Sequence, residues 1–575
     1  MNQRPVPQLR LGPFALIFAC LLALAVVCAA QTAANSGAQV AYAEHGMVAS
    51  VHPLATQAGV EVLKQGGNAV DAAVAVGLTL GVVDGENSGI GGGCFILIRR
   101  ADGSVVAIDG RETAPAAATR DMFVHNNEPD SEASVTGALA IGTPGALAAF
   151  ALAANRYGTK ALADLLLPAA AIAERGFVVD DYYAGRLKSV RMELRHFTSS
   201  IRVFFKDDGA LYGKGDLLRQ PDLAASYRAI AQEGSSWFYK GPFADAVDSW
   251  MKLNGGVVTS NDFRNYRPKE REPIITTYRD WRILSFPPPS SGGVHVAEIL
   301  NTLENFDLKS LDEASRLHTV AEAMKLAFAD RAYWLGDPDF ARVPRGLVDK
   351  SYAADLARRI DLLRAARVTT HGNPADWRTN LFEKHTTHFS VADAKGNWVA
   401  CTSTVNTTFG SKVVIPGTGV VMNDQMDDFS ISPGLPNSFG LVGAEANAVG
   451  PDKRPLSSMS PTIVLKDGQP ILALGAAGGP TIISQVVMAL VNMLDLGMTP
   501  EQAIAQPRIH HQWAPDELAV EKRLSDGVQS DLAERGHKIV RRDSIGVTQI
   551  VGRAPDGKGF VGVSDPRVSG QAAGW

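Results

Sequence analysis

Between Asn68 and Asp84 runs a segment, Ala69 to Val83, made almost wholly of Ala, Val, Leu and Gly. A helix that is apolar on every side has to be covered on every side, so the chain around it must fold in layers. Asn68 is a strong N-cap for that helix, and residues 53 to 66 read as another, with Pro53 early and Gly66-Gly67 closing it. Next come Asn87-Ser88-Gly89-Ile90-Gly91-Gly92-Gly93-Cys94, the apolar run Phe95 to Ile98, the turn Asp102-Gly103 and the run Val105 to Ile108. The glycine loop therefore feeds a hairpin. A phosphate cradle is the rival reading, but no Gly-Lys-Ser/Thr follows and the run enters a strand, so a tight backbone approach to the core fits better.

From about 139 to 365 helical patterns dominate: 144 to 157, 160 to 175, 221 to 233, 294 to 305, 312 to 335 and 349 to 364. A short strand around Arg282 to Phe286 leads into the rigid loop Pro287-Pro288-Pro289-Ser290-Ser291-Gly292-Gly293. After 385 the texture changes. Thr387 to Asp393 alternates as a strand, Ala394-Lys395-Gly396-Asn397 is turn chemistry, and Trp398 to Asn406 alternates again. Further strands fit Gly419 to Asn423, Thr462 to Leu465 and Ile471 to Leu474, and buried helix follows from Thr481 to Leu496. Helices before, strands after and one early strand pair form the pattern of a layered α/β sandwich.

With 575 residues, 46% of them hydrophobic, the chain can bury a large core, and its length alone would suit three or four domains. A net charge of −5 without long runs argues against a nucleic-acid footprint or a polybasic membrane surface, and leaves a small molecule as the expected partner. Arg4 and Arg10 precede an apolar stretch, Phe14 to Ala30, which ends in Cys28-Ala29-Ala30. It reads as a signal peptide over 1 to 30, hence an exported protein, periplasmic or secreted; a retained anchor is the competing reading, with the stretch at the short limit for spanning. Beyond that leader only Cys94 and Cys401 remain, too few for a disulfide scaffold, and no Cys/His spacing suits zinc. His510 and His511 are adjacent and point to different faces, as a surface or core pair does.

If the hairpin after 385 turns through Ala394 to Gly396, Thr386 pairs with Thr404, His388 with Thr402 and Ser390 with Ala400. Two hydroxyls then face each other, although threonine is also simply a good strand residue. The stretch Thr386-Thr387-His388-Phe389-Ser390-Val391, followed after four residues by Gly396-Asn397-Trp398-Val399-Ala400-Cys401-Thr402-Ser403-Thr404-Val405-Asn406 and Phe409-Gly410, resembles the signature of the γ-glutamyltransferase (γ-glutamyltranspeptidase) family. So do Gly66-Gly67-Asn68-Ala69-Val70-Asp71-Ala72, Arg111-Glu112-Thr113-Ala114-Pro115, the triple-proline loop, Asn423-Asp424-Gln425-Met426-Asp427-Asp428-Phe429, Pro455-Leu456-Ser457-Ser458, Gly478-Gly479 and Ser564-Asp565-Pro566-Arg567. The resemblance runs from about residue 45 to the end.

The resemblance implies a four-layer α-β-β-α sandwich of the N-terminal nucleophile hydrolase type, made as a precursor that cuts itself between His385 and Thr386. A large subunit, 31 to 385, and a small one, 386 to 575, would then share one interleaved domain. A threonine hydroxyl is a poor nucleophile at neutral pH, and a free α-amino group with a pKa near 8 can take its proton from within the same residue. Before the cut that nitrogen is an amide without basicity. Thr386 would then attack the γ-carbonyl of a donor such as glutathione, and water, an amino acid or a peptide would resolve the ester. By the same resemblance Thr404 orients the nucleophile and Gly478 and Gly479 donate to the oxyanion. Arg111, Ser457 and Ser458 match the donor's carboxylate, and Asp428, Gln425 and Asn406 its ammonium. No cofactor and no metal are implied.

Three departures stand out. Gly478-Gly479 lies between Ala476-Ala477 and Pro480, where Ser-Pro and Ser-Arg are usual, so one backbone donor is missing. Residues 431 to 443 match a lid, but Phe439 replaces its tyrosine and no phenol latch can form. Cys94 replaces a glycine in the glycine loop. The rival within the superfamily is a cephalosporin acylase acting on a glutaryl side chain, which has no α-ammonium; Asp428 favours the glutamyl reading. The rival from another class is an exported solute-binding protein.

Overall fold

The computed structural model describes residues 38–126, 128–374, 387–432 and 434–575. The chain begins with β1 (Gln39–Ala43), β2 (Gly46–Ser50), α1 (Pro53–Lys64), α2 (Ala69–Val83), β3 (Gly93–Arg99) and β4 (Val105–Gly110). Helices α3 (Ala146–Tyr157), α4 (Leu162–Arg175) and α5 (Pro221–Glu233) follow, then β5 (Lys269–Arg271), β6 (Ile274–Tyr278) and β7 (Trp281–Ser285). After α6 (Ser291–Leu303) and α7 (Glu313–Trp334) come β8 (Thr387–Asp393), β9 (Trp398–Thr404), β10 (Thr462–Lys466) and β11 (Gln469–Ala477). Helix α8 (Thr481–Leu494) precedes β12 (Val547–Arg553), β13 (Phe560–Ser564) and β14 (Gln571–Gly574).

These strands form two seven-stranded sheets, ordered β1-β13-β12-β11-β10-β7-β6 and β14-β2-β8-β9-β3-β4-β5. Every named neighbour pair is antiparallel. Each sheet takes strands from both sides of position 386, so neither half of the chain can complete a sheet alone.

Alternation along the strands sets the layers. In the second sheet Met47, Ala49, Phe95, Leu97, Ala392, Trp398 and Ala400 join the core between the sheets. Their neighbours Val48, Ile96, Ile98, Val391, Val399 and Cys401 pack outward against helices. Phe95 and Phe286 stack across the two sheets with centroids 4.1 Å apart, each burial contributing roughly 2–3 kcal/mol. Helix α2 has this sheet on one face and α3 and α4 on the other, which is why its sequence carries almost no polar side. Asn68 caps it, accepting from the N–H groups of Val70 and Asp71, while Asp71 closes a capping box. On the opposite side α6 and α8 lie on the first sheet and α7 covers α6, completing an α-β-β-α sandwich.

Two expected elements differ. Gly419 to Asn423 is no ladder strand; Val421 makes one bridge to Val414, and the Asn423 N–H donates to the Gly91 carbonyl at 3.1 Å. Its other backbone groups turn back on the segment 411 to 415, the Met422 N–H donating to the Val413 carbonyl and the Met422 carbonyl accepting from the Ser411 N–H, both at 2.9 Å. The helix expected over 349 to 364 covers only Lys350–Ala357, and beyond it the Asp361 carbonyl is bonded to His318 Nε2 at 2.7 Å.

The glycine loop makes the close approach its sequence suggests. A Cβ on Gly91 would lie 2.0 Å from the Val421 carbonyl oxygen, and one on Gly92 only 1.8 Å from that of Thr404. Both obstacles are backbone, which cannot swing aside. Gly92→Ala is expected to cost about 3 kcal/mol and to displace Thr404. Thermal unfolding checks this, and an unchanged midpoint would contradict it.

Candidate active site

Strands β8 and β9 pair in the register the turn dictates, with His388 opposite Thr402, Ser390 opposite Ala400 and Thr387 opposite Ser403. His385 and Thr386, the expected scissile pair, lie outside the described residues, as does the leader over 1 to 30. His388 lies between the sheets: its Nδ1 is 3.1 Å from Thr402 Oγ1, its Nε2 is 2.8 Å from Ser390 Oγ, and a Cβ on Gly475 of the facing sheet would strike the ring. Burial pushes this imidazole down to about 3, so it stays neutral.

Thr404 ends β9, buried, its hydroxyl accepting from the Asn406 N–H at 2.7 Å. Asn406 sits at φ +81, the left-handed region that asparagine tolerates better than most residues. Its Nδ2 donates to the Asp424 carbonyl at 3.0 Å. The Asp424 carboxylate accepts from Thr407 N at 2.9 Å and from Thr407 Oγ1 at 2.5 Å. Burial raises this carboxyl to about 7 against the pull of Lys412.

The turn Gln425–Asp428 leads from there into a second, wholly buried cluster. Arg111, just beyond β4, donates to Asp428 at 2.5 Å and to Glu112 at 3.2 Å. Gln425 Nε2 donates to the same Asp428 oxygen at 3.0 Å. Ser457 and Ser458 are fully buried, and the Ser457 carbonyl accepts from the Ser291 N–H at 3.0 Å. Among the described residues the Ser458 hydroxyl has no hydrogen-bond partner.

Two members of this neighbourhood were given no role by the sequence reading. Glu112 is raised to about 7 by burial, which outweighs the adjacent guanidinium. Arg331, from the last turn of α7, bonds Ser291 Oγ at 3.0 Å; burial lowers it to about 10 while the Asp428 charge opposes that shift. Glu112 follows Arg111 and could have been taken with it, whereas Arg331 is brought in by helix packing alone.

Gly478 and Gly479 join β11 to α8 with φ values of +134 and +60, which favour glycine. Among the described residues neither N–H donates a hydrogen bond, and both precede the partially positive end of α8. Pro480 occupies the N-cap of that helix, where an N–H is not needed. Thr404, Asn406, Gly478 and Gly479 border one cavity of about 270 Å³ with Phe439 among its walls. Arg111, Gln425, Asp428, Ser457 and Ser458 do not border it; they form the adjoining buried cluster, joined to it through residues 406 and 424.

The loop from 431 to 443 is held without a phenol. Ser438 hydrogen-bonds Asp427 through its hydroxyl and its N–H, and Gln512 Nε2 donates to the carbonyls of Phe439 and Gly440 at 3.3 and 3.0 Å. The Phe439 ring lies against Gly479, 2.9 Å from where a Cβ would be. Cys94 and Cys401 are buried free thiols, and His510 and His511 are both core residues. Among the described residues, one group has the ligand types of a metal site: His318, Glu322 and His537. Lys325 Nζ stands 2.8 Å from Glu322 there, supplying the positive charge.

Residues 55–575 match the gamma-glutamyltranspeptidase family. The chain is 48% identical over 531 residues to the glutathione hydrolase proenzyme of Escherichia coli, covering 91% of each. It is 40% identical to the glutathione hydrolase proenzyme of a Pseudomonas species, covering 95% of this chain and 97% of that one. Among solved structures it resembles the cephalosporin acylase of Bacillus halodurans, with a TM-score of 0.83 and 30% identity over 93% of this chain and 97% of that one.

Proposed function

The chain belongs to the gamma-glutamyltranspeptidase family, and from that premise we propose that it is a self-processing glutathione hydrolase and γ-glutamyltransferase with Thr386 as its nucleophile. The Thr386 hydroxyl attacks the His385 carbonyl, the resulting ester is released by water, and the freed α-amino group becomes the base for later turnovers. The turn register that pairs Thr386 with Thr404 in the sequence is the one β8 and β9 follow from Thr387 opposite Ser403 onward, which supports Thr404 as the group that orients the nucleophile. The N–H groups of Gly478 and Gly479, unengaged among the described residues and at the positive end of α8, suit the oxyanion that forms as the γ-carbonyl is attacked.

The observation that carries the substrate assignment is the buried pairing of Arg111 with Asp428, braced by Gln425. An α-amino acid head carries the same two charges. Its carboxylate can take the place of Asp428 on Arg111, and its ammonium the place of Arg111 on Asp428, so neither buried charge is left alone. The Ser458 hydroxyl adds a donor for the carboxylate, and Gln425 and Asn406 add acceptors for the ammonium. A glutaryl head offers no ammonium and leaves Asp428 facing a void. The test is turnover of γ-glutamyl against glutaryl amides. We expect kcat/KM to favour the γ-glutamyl amide by about 100-fold or more, and equal or better use of the glutaryl amide would contradict the assignment.

Export belongs to the same proposal and rests on the charged, apolar and small-residue order of the first 30 positions. Among the described residues no helix is long and apolar enough to cross a membrane. The partners are then a γ-glutamyl donor, an amine acceptor, and the two polypeptides of one precursor.

A further inference from the structure

The cavity beside Thr404 has a second wall that the reaction so far leaves without a task. Asp84 and Glu86, just past the end of α2, line it together with Tyr182 and Arg186. The wall is fastened to the hairpin end: the Val405 N–H donates to the Asn87 carbonyl at 3.0 Å and the Phe409 N–H to the Glu86 carbonyl at 2.9 Å. Asp84 and Glu86 are 5% and 2% exposed. Asn87 Nδ2 holds one Asp84 oxygen at 2.7 Å, but Asp84 Oδ2, Glu86 Oε2 and Arg186 Nε have no hydrogen-bond partner among the described residues. Arg186 lies over the Tyr182 ring, 5.5 Å from its centroid, and reaches Asn87 Oδ1 at 3.4 Å.

Buried polar atoms left unpaired cost free energy that a ligand would recover, and here they present both signs of charge within one cavity. We propose that this wall is the acceptor subsite, binding an α-amino acid or short peptide with its amino end toward Asp84 and Glu86 and its carboxylate toward Arg186. This rests on the γ-glutamyl-transfer reading and goes beyond it, by placing the second substrate. The placement also fits reversibility, since the acceptor nitrogen must enter where the donor's amine left, next to Thr404.

Burial raises both carboxyls, Asp84 to about 7 with Asp180 on the same cavity wall adding to the rise, and Glu86 with the Asp84 charge adding to it, so near neutral pH the pair holds a proton and still presents a carboxylate to one ammonium. In the transfer step the ammonium gives one proton to this pair, and the neutral nitrogen attacks the γ-glutamyl ester. The C–N bond forms, the ester C–O bond to Thr386 breaks, and a second amine proton restores the threonine hydroxyl. The pair returns its proton to solvent as product leaves.

The test uses γ-glutamyl-p-nitroanilide as donor and glycylglycine as acceptor, measuring γ-glutamylglycylglycine against free glutamate. Both products come from one acyl-enzyme, so their ratio is blind to donor binding and to acylation. Arg186→Gln and Glu86→Gln are each expected to lower the ratio about tenfold or more. Arg542→Gln, in the neighbouring cavity of about 450 Å³ on the other side of Gly478, should leave it unchanged. A ratio that holds in both Arg186→Gln and Glu86→Gln, one that falls with Arg542→Gln, or a wild type that forms glutamate only would each overturn the proposal. If Glu86→Gln stays uncut through misfolding, Arg186→Gln at the partly exposed edge carries the test. A wild type that releases no nitroaniline would instead refute the γ-glutamyl reading itself, so the two failures are distinct.

Discussion

Thr386→Ala is expected to accumulate as one uncut polypeptide with no measurable γ-glutamyl turnover. In the proposed mechanism the same oxygen serves twice, first against the His385 carbonyl and then against the donor. Alanine at 386 therefore removes the group that exposes the α-amine as well as the group that amine activates. Loss of a nucleophile of this kind lowers turnover on the order of 10⁴-fold or more. A denaturing gel and a nitroanilide assay read both consequences. A variant that still divides at 386 would show that another group makes the cut.

The second large effect is expected from Asp428→Asn. The substitution keeps shape and removes one charge, leaving Arg111 buried beside Glu112 and a neutral amide. Truncating one partner of a buried, hydrogen-bonded charge pair costs about 2–5 kcal/mol, so kcat/KM for a γ-glutamyl amide should fall by about 100-fold. The fold should suffer less. The Asp428 charge is one of the influences holding the proton on Glu112, and its removal eases ionisation of Glu112, which then balances Arg111. A glutaryl amide, which has no ammonium to lose a partner, should be affected far less. Equal losses on both amides would mean that Asp428 only supports the structure.

The parts of this architecture that were readable from residues are those in which a local rule and the tertiary layer agree. The hairpin from 387 to 404 is one: turn chemistry at Ala394 to Gly396 and alternation on either side define a single register, and His388 lies opposite Thr402 as that register requires. Helix α2 is another, since a segment with no polar side needs both a sheet and a helix layer. The terminal strands were not readable. Strands β1 and β2 sit among glycine, alanine and turn residues, the β12–β13 hairpin is slotted between β11 and β1, and β14 adds to the edge beside β2, places that only segments distant in sequence supply.

In the site, Arg111, Gln425, Asp428, Ser457 and Ser458 come together because each stands at the end of a strand or in a tight turn beside the sandwich. Arg331 carries no local signal, because only the packing of α7 on α6 brings it toward Ser291. The loop from 431 to 443 was legible, its fastening was not. Phe439 removes a phenol, and the bonds that hold the loop come from Asp427 and from Gln512, 73 positions beyond Phe439. No local pattern ties a glutamine there to a turn so far upstream.

In the proposed mechanism a chemical cut turns one chain into an enzyme whose catalytic base is its own new terminus. N-terminal sequencing of the smaller polypeptide of the purified active protein tests it most directly. The expected sequence is Thr-Thr-His-Phe-Ser, the run that begins at Thr386. An active preparation that is a single uncut chain, or a smaller polypeptide beginning at any other residue, would contradict it.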